Sequence, residues 1–334
     1  MKNLKTFSIC MLCSIMSVQA QQVFNVQNGT RTEFYNSLDT AMQYAVAGDT
    51  IYLPAGLIQL ENDLVIDKKL ALVGVGWDIN ALQTSFLTEI NRRITFTENA
   101  NGSLLTGCRI NNQIILGDNS AVQNIKLIRN NLRSTSFISI DIYSGSSNIF
   151  IRENNISGSF RIDMSTLTAN LPHTIFIENN IIFSPTIYIS NIKNSFILNN
   201  VFNSSYTTSI GIGNCIVQNN YIRNLANLGA NNVFNNNAFT DNLTFPNGTN
   251  VGANNLVNQD FNDTFESGTY QIKETSPCKN AGADGTDIGI YGGTIPYKDG
   301  SIPFNPNIRA NSISSQADNE GKLRIDITVT AQDR

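Results

Sequence analysis

Histidine and tryptophan each occur once in the 334 residues, and only 14% of the chain is charged. A single histidine, His173, excludes metal sites built from several imidazoles and leaves one ring for proton transfer, with no partner evident in the sequence. It follows Pro172 in what reads as a loop between strands, so a surface role is the expectation. Two of the five cysteines fall in the first twenty residues. The others, Cys108, Cys215 and Cys278, are odd in number and widely spaced, which fits neither a disulfide framework nor a metal-ligand pattern. Cys108 and Cys215 sit among apolar residues and are expected to be small buried side chains. No apolar run beyond the N-terminus approaches the roughly 20 residues of a membrane-spanning helix.

The exception is MKNLKTFSICMLCSIMSVQA, in which Lys2 and Lys5 precede an apolar stretch and the small-residue site Val18-Gln19-Ala20. It reads as a cleaved export signal, so the mature chain is expected outside the cytoplasm, secreted, periplasmic or at the cell surface. Removing Lys2 and Lys5 from the 22 basic residues leaves 20 against 26 acidic ones, a net charge of −6. That balance argues against a nucleic-acid partner.

Asparagine is abundant, and it is ordered. Pairs begin at Asn111, Asn130, Asn154, Asn179, Asn199, Asn219, Asn236 and Asn254, separated by 17 to 25 residues. Short β-branched segments flank each pair, as in IRENNIS, IFIENNII, FILNNVF and IVQNNYI. Repeats of this length mark solenoids, and segments lacking three- and four-residue apolar spacing exclude a helical one. The expectation is a parallel β-solenoid with coils about 4.8 Å apart, turned at asparagine corners. Equivalent side chains would stack and bond along the axis, with Asn179, Asn199 and Asn219 as the expected ladder. From Phe176 to Phe234 both strand parities are apolar, so the core-facing set there is open, and the other set would form an apolar stripe, exposed or covered.

Before the repeats, Phe34, Leu38, Ala41, Met42 and Ala45 fall at helical spacing, with Asn36 or Ser37 to cap the start and Gly48 to end the turn. A short amphipathic helix there would cover the open end of the first coil. The run GDTIYLPAGLIQLENDLVIDKKLALVGVGW that follows resembles the opening of the pectate-lyase-like, right-handed parallel β-helix proteins. SPCKNAGADGTDIGIYGG, Ser276 to Gly293, is similar to the closing coil of exported bacterial members. The resemblance implies an all-β, right-handed parallel β-helix over residues 21–300, after a signal peptide at 1–20. The remainder, 301–334, reads as a proline-rich linker and a β-hairpin, with Leu323, Ile325, Ile327 and Val329 alternating beside the turn ADNEGK.

That superfamily hosts lyases, hydrolases, epimerases and adhesins, so the fold does not name an activity. The Asp-Asp, Gly-His-Gly and Arg-Ile-Lys strings of its galacturonan hydrolases do not occur here. GVGW, Gly74 to Trp77, lacks the third glycine of a dinucleotide fingerprint and reads as a turn. One constellation remains. The segments ISIDIYS, SFRIDMS, TIYIS and SIGIG align so that Ile140, Ile142, Phe160, Ile162, Met164, Ile187, Ile189, Ile210 and Ile212 face inward. Alternation then sends Asp141, Tyr143, Arg161, Asp163, Tyr188 and Gly211 outward as a column on one face. Asp141, Tyr143, Arg161, Asp163 and Tyr188 are the candidate ligand-binding residues; the alternative is an ordinary solvated face carrying an Arg-Asp pair. The expected function is a non-catalytic, monomeric protein that presents this rigid face to a polysaccharide or cell-surface glycan, with no cofactor. The alternative is a polysaccharide lyase in which Ca2+ on Asp141 and Asp163 acidifies a uronate and Arg161 serves as base.

Overall fold

The computed structural model describes residues 22–78, 87–164, 173–299, 307–314 and 316–330, so the signal-like segment lies outside the described residues. The chain is a parallel β-solenoid of about nine turns. Its coils build two long sheets, one of 12 strands and one of 13, in which the strands of successive coils pair in parallel. The registers run Leu127↔Ile151↔Ile177↔Ile197↔Val217↔Phe234 in the first sheet and Ile140↔Ile162↔Ile189↔Ile210 in the second. All of these side chains are buried in one continuous core.

That arrangement resolves the parity left open by the sequence. Ile177, Ile197, Val217 and Phe234 fill the core, while Phe150, Phe176 and Phe196 stand outside the first sheet in a stack with ring centroids 4.8 and 5.3 Å apart. Arg152 lies over the Phe150 ring at 5.8 Å, closing one end of this outward stack with a cation–π contact.

The corner between the sheets takes two residues. The first adopts a left-handed backbone, at Arg129, Glu153, Asn179, Asn199, Asn219, Asn236 and Asn254, with φ between 52° and 58°. Asparagine tolerates this conformation better than most residues, which accounts for its recurrence. The second residue carries the ladder: Asn130, Asn154, Asn180, Asn200, Asn220, Asn237 and Asn255. From Asn154 onward each Oδ1 accepts from the backbone N–H and the side-chain amide of the asparagine one coil before, that amide also reaching a carbonyl a coil further back, while Asn130 Oδ1 accepts from the Cys108 N–H. Asn179, Asn199 and Asn219 are therefore not the ladder expected from the sequence. They set the turn, and the residue after each one bonds along the axis. A second, shorter ladder at the opposite corner runs from the Cys215 N–H to Asn232 and Asn250.

The N-terminal end is closed by the antiparallel pair Phe24–Asn28 and Arg31–Tyr35 together with the helix Leu38–Tyr44. Ser37 caps the helix, its hydroxyl accepting from Thr40 N–H at 3.2 Å, and Leu38, Ala41 and Met42 bury against the first coils. Phe34 belongs to the hairpin instead of the helix and is 67% exposed. At the far end, Asn307–Ile313 and Ile325–Thr330 pair only with each other as an antiparallel hairpin.

The segment likened to a closing coil does something else. After the short helix Phe261–Thr264 the chain turns back and climbs outside the left-handed corners. Ala281 O accepts from Asn236, Ala283 N–H donates to Asn219, Ile290 and Gly292 carbonyls accept from Asn179, and the Lys298 backbone bonds Glu153. This strap covers Ile181, Val201, Tyr221 and Ala238, the outward residues that follow the ladder, with Phe265, Ile272, Ile288, Ile290 and Tyr297. The covered residues are distinct from the apolar stripe of Phe176, Phe196 and Ile216, which stays on the outside of the first sheet and is not under the strap. Gly293 is required at its closest approach: φ is +80°, and a Cβ would lie 2.3 Å from Asn199 Nδ2.

Candidate functional site

The outward column stands on the second sheet, on the long strands Asn131–Ile142, Asn155–Met164, Ile181–Lys193 and Val201–Gly213. Bulges near Arg133, Ser157 and Ser184 bend these strands, so their second halves form a separate facet of the coil. On that facet Asp141 is level with Asp163, and Arg161 with Tyr188. Ile140, Ile142, Ile162, Met164, Ile187, Ile189, Ile210 and Ile212 are buried beneath, which places the alternate residues outside as expected. The Phe160 side chain lies outside the described set.

Arg161 reaches back between the two acids, with Nη2 3.6 Å from Asp141 and 3.7 Å from Asp163. These are ion-pair distances beyond good hydrogen bonds, and the guanidinium is 41% exposed. Each carboxylate is oriented from another coil: Gln113 Nε2 donates to Asp141, and Ser190 Oγ and Asn191 Nδ2 donate to Asp163 at 2.8 Å each. The cluster lines a shallow cavity of about 210 Å³ with Ile115, Gly117 and Tyr143. Gly117 (φ +94°) makes room for it, since a Cβ there would meet Tyr143 Cβ at 2.7 Å. Tyr143 is half-buried at the inner end, its N–H held by Leu116 O. Tyr188 is 44% exposed at the outer end. The structure therefore gathers Asp141, Tyr143, Arg161 and Asp163 in one hollow and sets Tyr188 on its rim. Two further aromatic side chains that sequence reasoning missed, Phe183 and Tyr206, are 54% and 78% exposed on the same strands. Strand alternation around bulges hides such positions.

His173 takes no part. It is buried, not on the surface, and its Nε2 accepts the Lys193 N–H at 2.8 Å, a structural bond between coils. Among the described residues no group of three or more His, Cys, Asp or Glu side chains is placed to hold a metal ion. Arg161 itself occupies the space between Asp141 and Asp163. The three cysteines are buried thiols, and burial pushes Cys108 up to about 12.

No family model, curated protein or solved structure matches the chain. Among the described residues no helix is long and apolar enough to cross a membrane. The chemistry of this facet therefore has to be read from its geometry. It offers a fixed cation, carboxylate acceptors oriented by amides, and aromatic rings free on one side, all on a rigid sheet.

A second hollow, which the sequence did not reveal, lies beneath the strap. It has a volume of about 340 Å³ and is lined by Trp77, Asp78, Asn155, Ile181, the segment Gly268–Gln271, Tyr291, Tyr297 and Asp299. Gly74 to Trp77 is a turn, as expected, but one that delivers the tryptophan to this cavity. The visible signal was the single tryptophan beside an aspartate. Its meaning depended on the path of the strap.

Proposed function

We propose that the chain is an exported, non-catalytic β-solenoid that binds a glycan along the facet of Asp141, Tyr143, Arg161, Asp163 and Tyr188. The observation that carries this reading is Arg161 held across two coils between two oriented carboxylates, with Tyr188 exposed beside it. Carboxylates and a guanidinium form charge-assisted hydrogen bonds with sugar hydroxyls, and the guanidinium also pairs with a uronate carboxylate. Tyr188, with the exposed Tyr206 on the neighbouring strand, supplies faces for sugar rings. Coils about 4.8 Å apart repeat these contacts on the scale of a sugar unit, and a sheet fixed by its core loses little entropy on binding. The Lys-apolar-small N-terminus supports export with cleavage after Ala20, and the Gly-Asp-Thr-Ile and Pro-Ala-Gly strings support kinship with the pectate-lyase-like superfamily.

Binding also asks less of the residues than catalysis does. A lyase would need Arg161 to abstract a proton, and a guanidinium is in general a poor base. The test is a glycan array with the wild-type chain, Arg161→Ala and Tyr188→Ala, paired with an assay for unsaturated products on acidic polysaccharides with and without calcium. Binding that weakens about tenfold or more in both variants, with no turnover, is the expected outcome. Calcium-dependent product abolished by Arg161→Ala would establish the lyase reading instead, and a glycan bound equally by all three proteins would place the function elsewhere.

A further inference from the structure

The cavity beneath the strap has the walls of a cation site. Tyr291 and Tyr297, edge to face with centroids 6.3 Å apart and planes at 88°, both line it. Tyr270 is a third ring in the lining and is buttressed edge-on by Phe261 and Phe265 at 6.1 and 6.0 Å. Trp77 is a fourth. The faces of such rings are electron-rich and attract a positive charge but not an anion.

The polar lining has the same sign. Asp78 and Asp299 are its charged residues, and no lysine or arginine is among the described residues that line it. Asp299 Oδ1 accepts from the Tyr291 hydroxyl at 2.7 Å, which ties one carboxylate to one wall. Burial, reinforced by that carboxylate, pushes the Tyr291 phenol well up, and burial does the same for Tyr270, so both rings remain neutral donors in the working pH range. The remaining lining, Asn155, Thr269 and Gln271, offers hydroxyl and amide groups for a polar tail. The volume lies at the small end of ligand sites. The lining comes from five separated parts of the chain, and the strap that carries Tyr291 and Tyr297 is pinned to the asparagine corners, so the cavity is preorganised.

We propose that this cavity is a binding site for a small organic cation, a quaternary ammonium or protonated amine with a short polar tail, separate from the facet around Arg161. Trp77, the one tryptophan in the chain, reports on it directly through its fluorescence. Choline is titrated into the full mature chain beside its uncharged isostere 3,3-dimethylbutan-1-ol and beside glucose. The expected result is a saturable change in Trp77 emission with choline, at a midpoint about tenfold or more below that of the isostere, and none with glucose. Asp299→Asn and Tyr297→Ala are expected to raise the choline midpoint about five- to tenfold with an unchanged far-ultraviolet spectrum. Arg161→Ala should leave it unmoved. Equal midpoints for choline and its isostere, a response to glucose alone, or no saturable response to choline would each overturn the proposal. If Asp299→Asn does not fold, the comparison of choline with its isostere on the wild-type chain decides alone.

Discussion

Replacing Asn200 with alanine removes five hydrogen bonds from the middle of the ladder. Its Oδ1 accepts from the Asn180 N–H and amide, and its amide donates to Ile177 O, Leu198 O and Asn220 Oδ1. Asn200 is fully buried, so water does not take over these partners. The Asn180 N–H is left with nothing to bond, at a cost of about 1–3 kcal/mol, and the amides and carbonyls that keep one partner lose roughly 0.5–1.5 kcal/mol each. With four such groups, Asn180 Nδ2, the Ile177 and Leu198 carbonyls and Asn220 Oδ1, the sum is about 3–9 kcal/mol. At Asn199 the reasoning differs, because that residue sets a left-handed turn at φ 55°. Alanine there costs about 1–2 kcal/mol of backbone strain, and glycine, which has none, should be nearly neutral. Urea unfolding followed by circular dichroism ranks the three. The expected order of loss is Asn200→Ala, then Asn199→Ala, then Asn199→Gly. An Asn200→Ala chain within about 1 kcal/mol of wild type, or less affected than Asn199→Ala, would refute the assignment of the ladder.

Arg129 and Glu153 form an ion pair at 2.8 Å with side chains 0% and 1% exposed, at corner positions that later coils fill with asparagine. The double change Arg129→Asn with Glu153→Asn, which removes two desolvated charges from positions that take asparagine in later coils, should be neutral or stabilising in the same unfolding experiment. Burial raises the Glu153 carboxyl above its ordinary 4.5, with Arg129 opposing. The folded state therefore binds that proton more tightly than the unfolded chain, and this residue's contribution to stability falls as pH climbs from 4.5 through the raised folded value. Unfolding at a series of pH values should show that fall in wild type and its loss in the double variant. Gly293→Ala should loosen the strap, and limited proteolysis should then cut between residues 265 and 299 while the coils survive. Cys108, Cys215 and Cys278 should resist alkylation near neutral pH until denaturant is added, since buried thiols raised by desolvation hold little thiolate.

Much of this was legible in the residues. The period of the asparagine pairs, the capping Ser37 and the alternation from Ile140 to Ile212 each follow from local rules, and the facet of Asp141, Arg161 and Tyr188 follows from that alternation. The phase of the corners does not. Glu-Asn-Asn occurs at 153–155 and again at 178–180, yet Glu153 takes the left-handed turn in the first while Asn179 takes it in the second. The same tripeptide sits one residue out of step because Glu153 has a buried guanidinium to meet and Glu178 pairs with Arg152 on the sheet. A partner one coil away decides the register, and no local pattern carries it. The cavity at Trp77 was hidden for a related reason: its walls are gathered by a strap whose course rests on bonds between residues more than 100 positions apart, as from Asn179 to Ile290.

That strap changes how the molecule should come apart. In a linear array each coil touches only its neighbours, so the ends fray first and partial unfolding spreads one rung at a time. Here the segment from Ala281 to Lys298 is bonded to corners at Asn236, Asn219, Asn179 and Glu153, and no rung in that stretch opens without releasing a tether shared with the others. Amide exchange in the coils from 153 to 236 should accordingly proceed as one event at one rate, with the coils ahead of Glu153 opening separately. The tether also forms last, because its docking surface does not exist until those coils have stacked. Folding should therefore end with a slow closure that Asn179 and Gly293 govern and the ladder does not.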